Sequence, residues 1–137
     1  MPTVTMVAPM SGVPVIQQND QTTGNGVTLA LPPSFRNHTW IVAAAAGVTS
    51  GAITIEASNA NPLASPNTVG DPVEDTNTWA VVPMANSIAN PITVIAGADL
   101  MLEHNGLLNH VRARISTTIA GGSAPSVTVT YVGAKSY

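Results

Sequence analysis

The sequence predicts an all-β protein, a single antiparallel β-sandwich of jelly-roll-like form with about eight to ten short strands and no substantial helix. Three observations support this fold class. Short stretches alternate between apolar and polar residues, clusters of Gly, Pro and Asn separate them, and no segment combines a 3.6-residue apolar period with helix caps. At 137 residues the chain has the length of one domain with a real core.

Charge is unusually scarce in this chain. Charged residues make up 8% of the sequence, against about 25% in an ordinary soluble domain. With four Lys and Arg in total, a basic surface for nucleic acid is missing, and we expect no nucleic-acid partner. Two interpretations stay open: a neutral surface rich in Thr, Ser and Asn, or a surface buried against other subunits, because interface cores are depleted in charge.

Several classes of site and partner are excluded by composition. The chain has no Cys, which rules out disulfides, thiolate catalysis and Cys-based zinc sites. The N-terminus lacks the basic segment and long apolar run of a secretory signal. No apolar run approaches the roughly 18 residues that cross a membrane, so we expect no membrane partner.

The N-terminal segment, residues 1–18, is predicted to form an arm or edge strands. Its β-prone stretch is interrupted by Pro2, Pro9 and Pro14, and proline within a strand is typical of an edge or a terminal arm. The sandwich domain is then expected over residues 19–137. It begins with a Gly- and Asn-rich turn and an alternating strand that ends at two prolines.

The middle of the chain predicts a central strand and a long loop. Residues 40–48 are apolar at every position and predict a strand that is covered on both faces. Together with the alternating strand that follows, they predict a hairpin over residues 38–58. Residues 59–78 form the longest irregular stretch, with three of the seven acidic residues. This loop is either a contact loop or a plain solvated one.

The C-terminal part predicts short strands and a closing hairpin. Asn105 and Gly106 form a hairpin turn signal. Residues 107–133 then predict two strands joined by a Gly-rich connection, each with one apolar and one polar face. We expect residues 40–48 to cover the apolar face of this hairpin.

No pattern in the sequence indicates catalysis. A Gly-x-Ser-x-Gly elbow is missing. Glu103 and His104 are adjacent, so on a strand they point to opposite faces and cannot both bind one metal without a bulge. His38 is interpreted as a histidine at a strand end. The prediction is therefore a non-enzymatic protein with no catalytic residue, no cofactor and no metal.

Two arginines draw attention because they share one face of a predicted strand. Arg112 and Arg114 are half of the basic residues. They are able to bind a partner's carboxylates or a sugar, but such residues are more often the solvated face of an edge strand or the partners of local acids such as Glu103. With the prolines and the loop acids they complete the set of candidate protein contacts: Pro9, Pro14, Asp71, Glu74, Asp75, Arg112 and Arg114.

A family resemblance covers roughly residues 38–133. The segments HTWIVAAAAGVTSGAITIEASN, TWAVVP, HVRARIS and VTVTYVG, in that order, resemble the small β-sandwich structural proteins of tailed bacteriophage virions. The resemblance implies a virion component, such as a head decoration protein, on the capsid surface. It also implies a major capsid protein or another virion protein as partner, and a homo-oligomer, either a trimer or a dimer.

The function expected from this resemblance is to decorate and stabilise a phage capsid through contacts between subunits and with the shell. Such a protein stabilises by mass action, because it binds the assembled shell and not its separated parts. Two alternatives remain. One is a phage neck or tail connector subunit, and the other is a carbohydrate-binding adhesion module, for which few aromatic side chains are available.

Overall fold

A computed structural model describes residues 3–4, 6–58, 73–74, 79–86, 89–94 and 99–135. These residues form strands, turns and irregular segments and contain no helix, so none of them belongs to a helix that would span a membrane. The strands are β1 (Thr3–Val4), β2 (Met6–Val7), β3 (Val15–Gln21), β4 (Thr28–Ala30), β5 (Phe35–Ala44), β6 (Val48–Ser58), β7 (Val73–Glu74), β8 (Trp79–Val81), β9 (Ile92–Thr93), β10 (Asp99–Asn105), β11 (His110–Gly121) and β12 (Val127–Lys135).

Two sheets account for nearly all of these strands. The four-stranded sheet has the order β10-β5-β12-β3. The six-stranded sheet has the order β2-β4-β11-β6-β8, and β9 pairs separately with β6. Every pair is antiparallel except β2 with β4. The predicted fold class, an antiparallel β-sandwich, is confirmed.

The core lies between the two sheets. Alternate side chains of each long strand turn inward, as the two-residue period of a strand requires. In the four-stranded sheet, Trp40 and Tyr131 are fully buried, and in the six-stranded sheet Ile53, Ile55 and Val111 are fully buried. These residues form one continuous apolar cluster that joins the sheets.

The strand pairing is nested. Strand β3 pairs with β12, β4 with β11, β5 with β10, and β6 with β8. The first of these eight strands therefore pairs with the last, and the second with the second to last. The N-terminal segment supplies one edge strand to each sheet, β2 and β3, and the domain boundary expected after residue 18 falls inside β3.

The predicted hairpins are wrong. Strands β5 and β6 lie in different sheets, as do β10 and β11, and β11 and β12. Each turn instead carries the chain across the edge of the core, so that the apolar faces of the two strands oppose each other. The turns of the β5–β6 and β11–β12 connections are stacked: Gly122 N donates to Gly47 O at 3.1 Å, and Ala45 N donates to Ser126 O at 3.0 Å.

The expectation that residues 40–48 are covered on both faces is also wrong. Strand β5 ends at Ala44, a turn follows, and Val48 already belongs to β6. The inner face of β5 is buried, but Ile41 on its outer face is 37% exposed. The reason is geometric: side chains on a strand point to opposite faces in turn, and β5 buries one face in the core while Ile41 on the other face is open to solvent.

A bulge in β3 buries two consecutive glutamines. Val129 pairs with Gln18 and the next residue of β12 pairs with Ile16, so Gln17 is the extra residue. Both amide side chains point inward and are 2% exposed. Gln17 Oε1 accepts from Trp40 Nε1 at 2.9 Å, while Gln17 Nε2 and Gln18 Nε2 donate to carbonyl groups of β11 at 3.2 and 2.7 Å. These bonds tie the two sheets together.

Candidate interaction surfaces

A buried ion cluster lies on the outer side of the six-stranded sheet. Glu56 of β6 pairs directly with Arg112 of β11. Glu56 Oε1 accepts from Arg112 Nε at 3.0 Å and from Arg114 Nε at 2.9 Å. The side chains of Glu56 and Arg112 are 9% and 8% exposed, and that of Arg114 is 36% exposed.

The guanidinium group of Arg112 is also stacked on an indole ring. Its Cζ lies 4.1 Å from the ring centroid of Trp79, at the distance of a cation–π contact. Trp79 itself lies partly buried on the outer side of this sheet. The cluster therefore joins β6, β8 and β11 through one carboxylate, two guanidinium groups and a ring.

Both arginines form ion pairs with a local acid, which was one of the alternatives that the sequence left open. That acid is Glu56, not Glu103. Arg112 is not part of a solvated polar face, because burial and its ion pair hold it within the protein. Arg114 keeps about a third of its side chain in contact with solvent. Reversing both charges would bring three carboxylates together in this cluster, so it would not leave the fold intact.

A second polar cluster lies inside the core at one end of the four-stranded sheet. His38 Nε2 is 2.8 Å from Gly106 O, and His38 Nδ1 is 2.7 Å from the Tyr131 hydroxyl oxygen. A carbonyl oxygen only accepts, so Nε2 carries the proton and Nδ1 accepts from Tyr131. His38 lies within β5 rather than at its end, and it is 1% exposed.

Burial decides the ionisation of this cluster. Desolvation lowers the pKa of His38, outweighing the bond to Gly106, and the nearby His104 and Arg36 lower that pKa further. Desolvation also raises the pKa of Tyr131. Both groups are therefore held neutral at neutral pH, and they serve as a hydrogen-bonded support for the core.

Glu103 and His104 lie on opposite faces of β10, as their adjacency on a strand predicted. Glu103 is exposed on the outer face of β10, while His104 turns inward, with its ring centroid 6.1 Å from that of His38. His104 Nδ1 donates to Pro83 O at 2.7 Å. Within the described residues, no three His, Asp or Glu side chains come together as metal ligands.

The outer face of the four-stranded sheet, called the open face below, carries a row of apolar side chains. Met101 of β10 pairs with Ile41 of β5, Ile41 pairs with Thr130 of β12, and Thr130 pairs with Ile16 of β3. Met101 is 50% exposed and Ile16 is 49% exposed. One row of neighbouring residues therefore crosses all four strands and lies open to solvent.

The residues beside this row are small or uncharged. Thr39 and Val132 lie on one side of it, and Ala43 and Thr128 on the other, in the same register. The register of β3 with β12, continued by one residue, places the exposed Pro14 next to Val132. The two central strands thus present no charge across the middle of the open face.

The remaining described charges lie on the strands of the same sheet. Outside the Glu56 cluster, the charged side chains that the structure describes number five, and all five are exposed on this sheet. Arg36 and Lys135 lie at one end of the two central strands, and the register pairs Lys135 with the inward-facing Phe35. The acids lie on the two edge strands: Asp20 on β3, and Asp99 and Glu103 on β10.

Among the described residues, the candidate contacts predicted from the sequence lie on different parts of the molecule. Pro14 lies at the margin of the open face, but Pro9 is buried. Glu74 belongs to β7, which pairs with β1, and nothing is described of its side chain. Asp71 and Asp75 lie outside the described residues. The apolar row itself was missed, and the signal for it was the absence of polar alternation along β5.

The other surface features give weaker indications. An open cleft of about 300 Å³ lies beside β3 and is lined by residues of that strand and of the following turn, among them Asn19, Gln21 and Thr23. The aromatic side chains that a carbohydrate site would use are occupied: Trp40 and Tyr131 are fully buried, and one face of Trp79 is covered by Arg112.

Comparison with known proteins adds no indication of function. No protein-family model matches the chain, and neither the curated proteins nor the solved structures contain a match.

Proposed function

We propose that this protein is a non-enzymatic structural subunit of a virion, and that it decorates and stabilises a phage capsid. The observation that carries the proposal is the open face. Its centre is uncharged and includes Ile16, Ile41 and Met101, which are 49%, 37% and 50% exposed. Contiguous exposed apolar surface marks a place where another protein binds. A protein of this kind acts by binding.

The connectivity of the sandwich is compatible with this role. Eight strands that pair first with last, in two four-membered sets, have the order expected of a jelly roll, and we infer that the sandwich is of this type. Jelly rolls occur in viral capsid proteins and in lectins. Because one fold hosts many functions, the fold only permits the role, and the surface argues for it.

The buried polar groups also favour a supporting role. Glu56 is held by two guanidinium groups, and His38 and Tyr131 are held neutral in the core. Glu56 is bonded to the arginines and His38 is bonded to Tyr131, and none of these groups faces a substrate cleft. Their arrangement suits a rigid platform for contact surfaces more than proton transfer.

The expected mechanism is stabilisation by linkage. A subunit that binds only the assembled shell shifts the equilibrium toward that shell by RT ln(1 + [L]/Kd), about 2.7 kcal/mol at a concentration 100 times Kd. Many such sites on one particle add up, so a modest affinity per site is sufficient. Contacts with the shell and contacts between copies both contribute.

The test is to locate and remove the protein in its own particle. Particles from the phage that carries this gene are imaged with and without the gene, and their heat stability is compared. We expect regularly spaced density over the capsid surface and a lower disruption temperature when the gene is deleted. Density only at the neck or tail would support the connector alternative. Absence of the chain from purified particles would refute a virion role altogether.

A further inference from the structure

We propose that Asn25 is a modification site, at which the side-chain amide is lost without an enzyme and the backbone rearranges to isoaspartate. The chain has two Asn-Gly sequences, Asn25-Gly26 and Asn105-Gly106. Glycine has no side chain, so its backbone nitrogen reaches the preceding asparagine with the least steric hindrance. The surroundings of the two sequences differ, and they favour reaction at Asn25. The proposal goes beyond the proposed function and does not depend on it.

The reaction requires only the two residues and water. Gly26 N attacks Cγ of Asn25, the bond from Cγ to Nδ2 breaks, and ammonia leaves with the proton that Gly26 N gives up. The product is a cyclic succinimide, in which Gly26 N is bonded to two carbonyl carbons. Water adds to one of these carbons and opens the ring there. Opening at Cγ leaves aspartate at position 25, and opening at the backbone carbon leaves isoaspartate, in which the chain runs through Cγ.

The Asn105-Gly106 sequence is held in place by hydrogen bonds. Gly106 N donates to Arg36 O at 2.8 Å, and Gly106 O lies 2.8 Å from His38 Nε2. Asn105 is the last residue of β10 and pairs with Asn37 of β5. Gly106 N can attack only after its bond to Arg36 O has been broken, and the loss of a typical hydrogen bond slows the reaction by about two- to tenfold.

The peptide group between Asn25 and Gly26 lacks such a bond. Among the described residues, no acceptor forms a hydrogen bond with Gly26 N. The chain is anchored on either side instead: Gly24 O accepts from a backbone N–H of β11 at 2.9 Å, and Val27 N donates to Gln17 O at 2.9 Å. Gly26 also lines the open cleft beside β3, so water has access to it. The attacking nitrogen at this turn therefore has no bond to break before it reacts.

The modified turn lies against the two inward glutamines. Gln18 Nε2 donates to Gly24 O at 3.0 Å, and Gln17 Nε2 donates to Val27 O at 3.1 Å. The turn packs closely on β3, because a Cβ added at Gly26 would lie 2.5 Å from Gln17 O. Isoaspartate lengthens the backbone by one methylene group between these anchors, so we expect it to weaken their hydrogen bonds. Either product also adds a negative charge to a chain of net charge −3.

The first test compares the two asparagines in the folded protein and in urea. The purified chain is kept at mildly alkaline pH and then cut with trypsin, which separates the two sequences because Arg36 lies between them. Mass spectrometry measures the loss of the amide in each peptide. In the folded protein, Asn25 should react about two- to tenfold faster than Asn105, although Asn105 is the more exposed. In urea the two rates should become similar, because glycine follows both residues.

Two matched variants assign the charge that the folded protein gains. Asn25→Gln keeps an amide but requires a larger ring for the same attack, so this variant should lose most of the acidic shift that isoelectric focusing detects in the wild type. Asn105→Gln makes the same change at the other sequence and should keep that shift. Circular dichroism and the urea midpoint verify that both variants are folded.

A third variant separates the rearranged backbone from the added charge. Asn25→Asp carries the charge of the product without the extra methylene group. Protein that has converted to isoaspartate at position 25 should have a folding equilibrium constant about two- to tenfold below that of Asn25→Asp, because a hydrogen bond of the turn is weakened or lost. Urea unfolding measures both constants.

Other outcomes would refute the proposal. Equal rates in the folded protein, or a faster reaction at Asn105, would show that the hydrogen bond of the glycine nitrogen does not select the site. An Asn25 that reacts in urea but stays intact in the folded protein would show that the turn protects it. Equal folding constants for the isoaspartate form and Asn25→Asp would refute the effect on the bonds of the glutamines. None of these results bears on binding to a capsid, so the proposed function stands or falls separately.

Discussion

The ion cluster around Glu56 gives the sharpest stability prediction. Replacing Glu56 with Gln keeps the shape of the side chain but removes the negative charge from between Arg112 and Arg114. The guanidinium of Arg112, whose side chain is 8% exposed, then lies in a buried site without its carboxylate partner. Removing one member of a buried ion pair typically costs 3–5 kcal/mol, about half of the stability of an ordinary domain.

Two features of the structure make the expected loss of stability slightly smaller than this. The amide oxygen of Gln still accepts one hydrogen bond, and Arg114 is exposed enough to turn toward water. We therefore expect Glu56→Gln to lower the free energy of unfolding by about 2–4 kcal/mol. The measurement is urea unfolding followed by circular dichroism, with the m-value checked for a constant two-state transition.

Two further variants separate the buried charge from other causes. Glu103→Gln removes an exposed carboxylate from β10 and should change the free energy by less than about 0.5 kcal/mol. Adding Arg112→Met to Glu56→Gln should recover part of the loss, because an apolar side chain replaces the buried charge. A loss below about 1 kcal/mol for Glu56→Gln, or no recovery in the double variant, would show that the ion pair between Glu56 and Arg112 does not stabilise the fold.

Three other predictions concern the core. Tyr131→Phe removes the donor to His38 Nδ1 and should cost about 1–3 kcal/mol by urea unfolding, whereas an unchanged midpoint would argue against that bond. The pKa of His38 is lowered in the folded protein, so on acidification the unfolded chain binds a proton at this residue first. The free energy of unfolding should therefore fall as the pH drops below about 6.5 toward the lowered pKa of His38. This fall should be smaller in His38→Gln. Gly133→Ala would press a methyl group against the Tyr131 hydroxyl and against Phe35 Cδ2 at 2.6 Å, so we expect a loss of about 1–3 kcal/mol, and a thermal midpoint equal to the wild type would contradict that packing.

The fold class was predictable from the sequence because alternation reports directly on burial. The first strand predicted within residues 107–133 was expected to have one apolar face, and the structure buries that face, which consists of Val111, Ala113 and Ile115. Alternation says nothing about which strand is the neighbour, however. The Asn105-Gly106 signal predicted a hairpin, but the turn there connects the two sheets, since each strand finds its ladder partner elsewhere in the chain.

The ion cluster, the inward glutamines and the open face were less predictable, because alternation does not report which strands are neighbours. The contact of Glu56 with Arg112 follows at once from the pairing of β6 with β11, yet 55 residues separate them and no local pattern links them. The two inward glutamines depend on a bulge, which breaks the alternation that would have announced their faces. The open face could not be recognised from the sequence. The apolar run in β5 is typical of a strand that is buried on both faces, and it is equally compatible with a strand that has one apolar face exposed to solvent.

The nested pairing also has a consequence for the order in which the protein folds. Strand β3 lies near the N-terminus, and its ladder partner β12 lies near the C-terminus, so the four-stranded sheet is closed only by contacts that span most of the sequence. Such long-range closure is slow, and a ribosome delivers β12 after the other strands of the sandwich. Until then β3 has no ladder partner in its own sheet, so the four-stranded sheet is completed only when β12 has been synthesised.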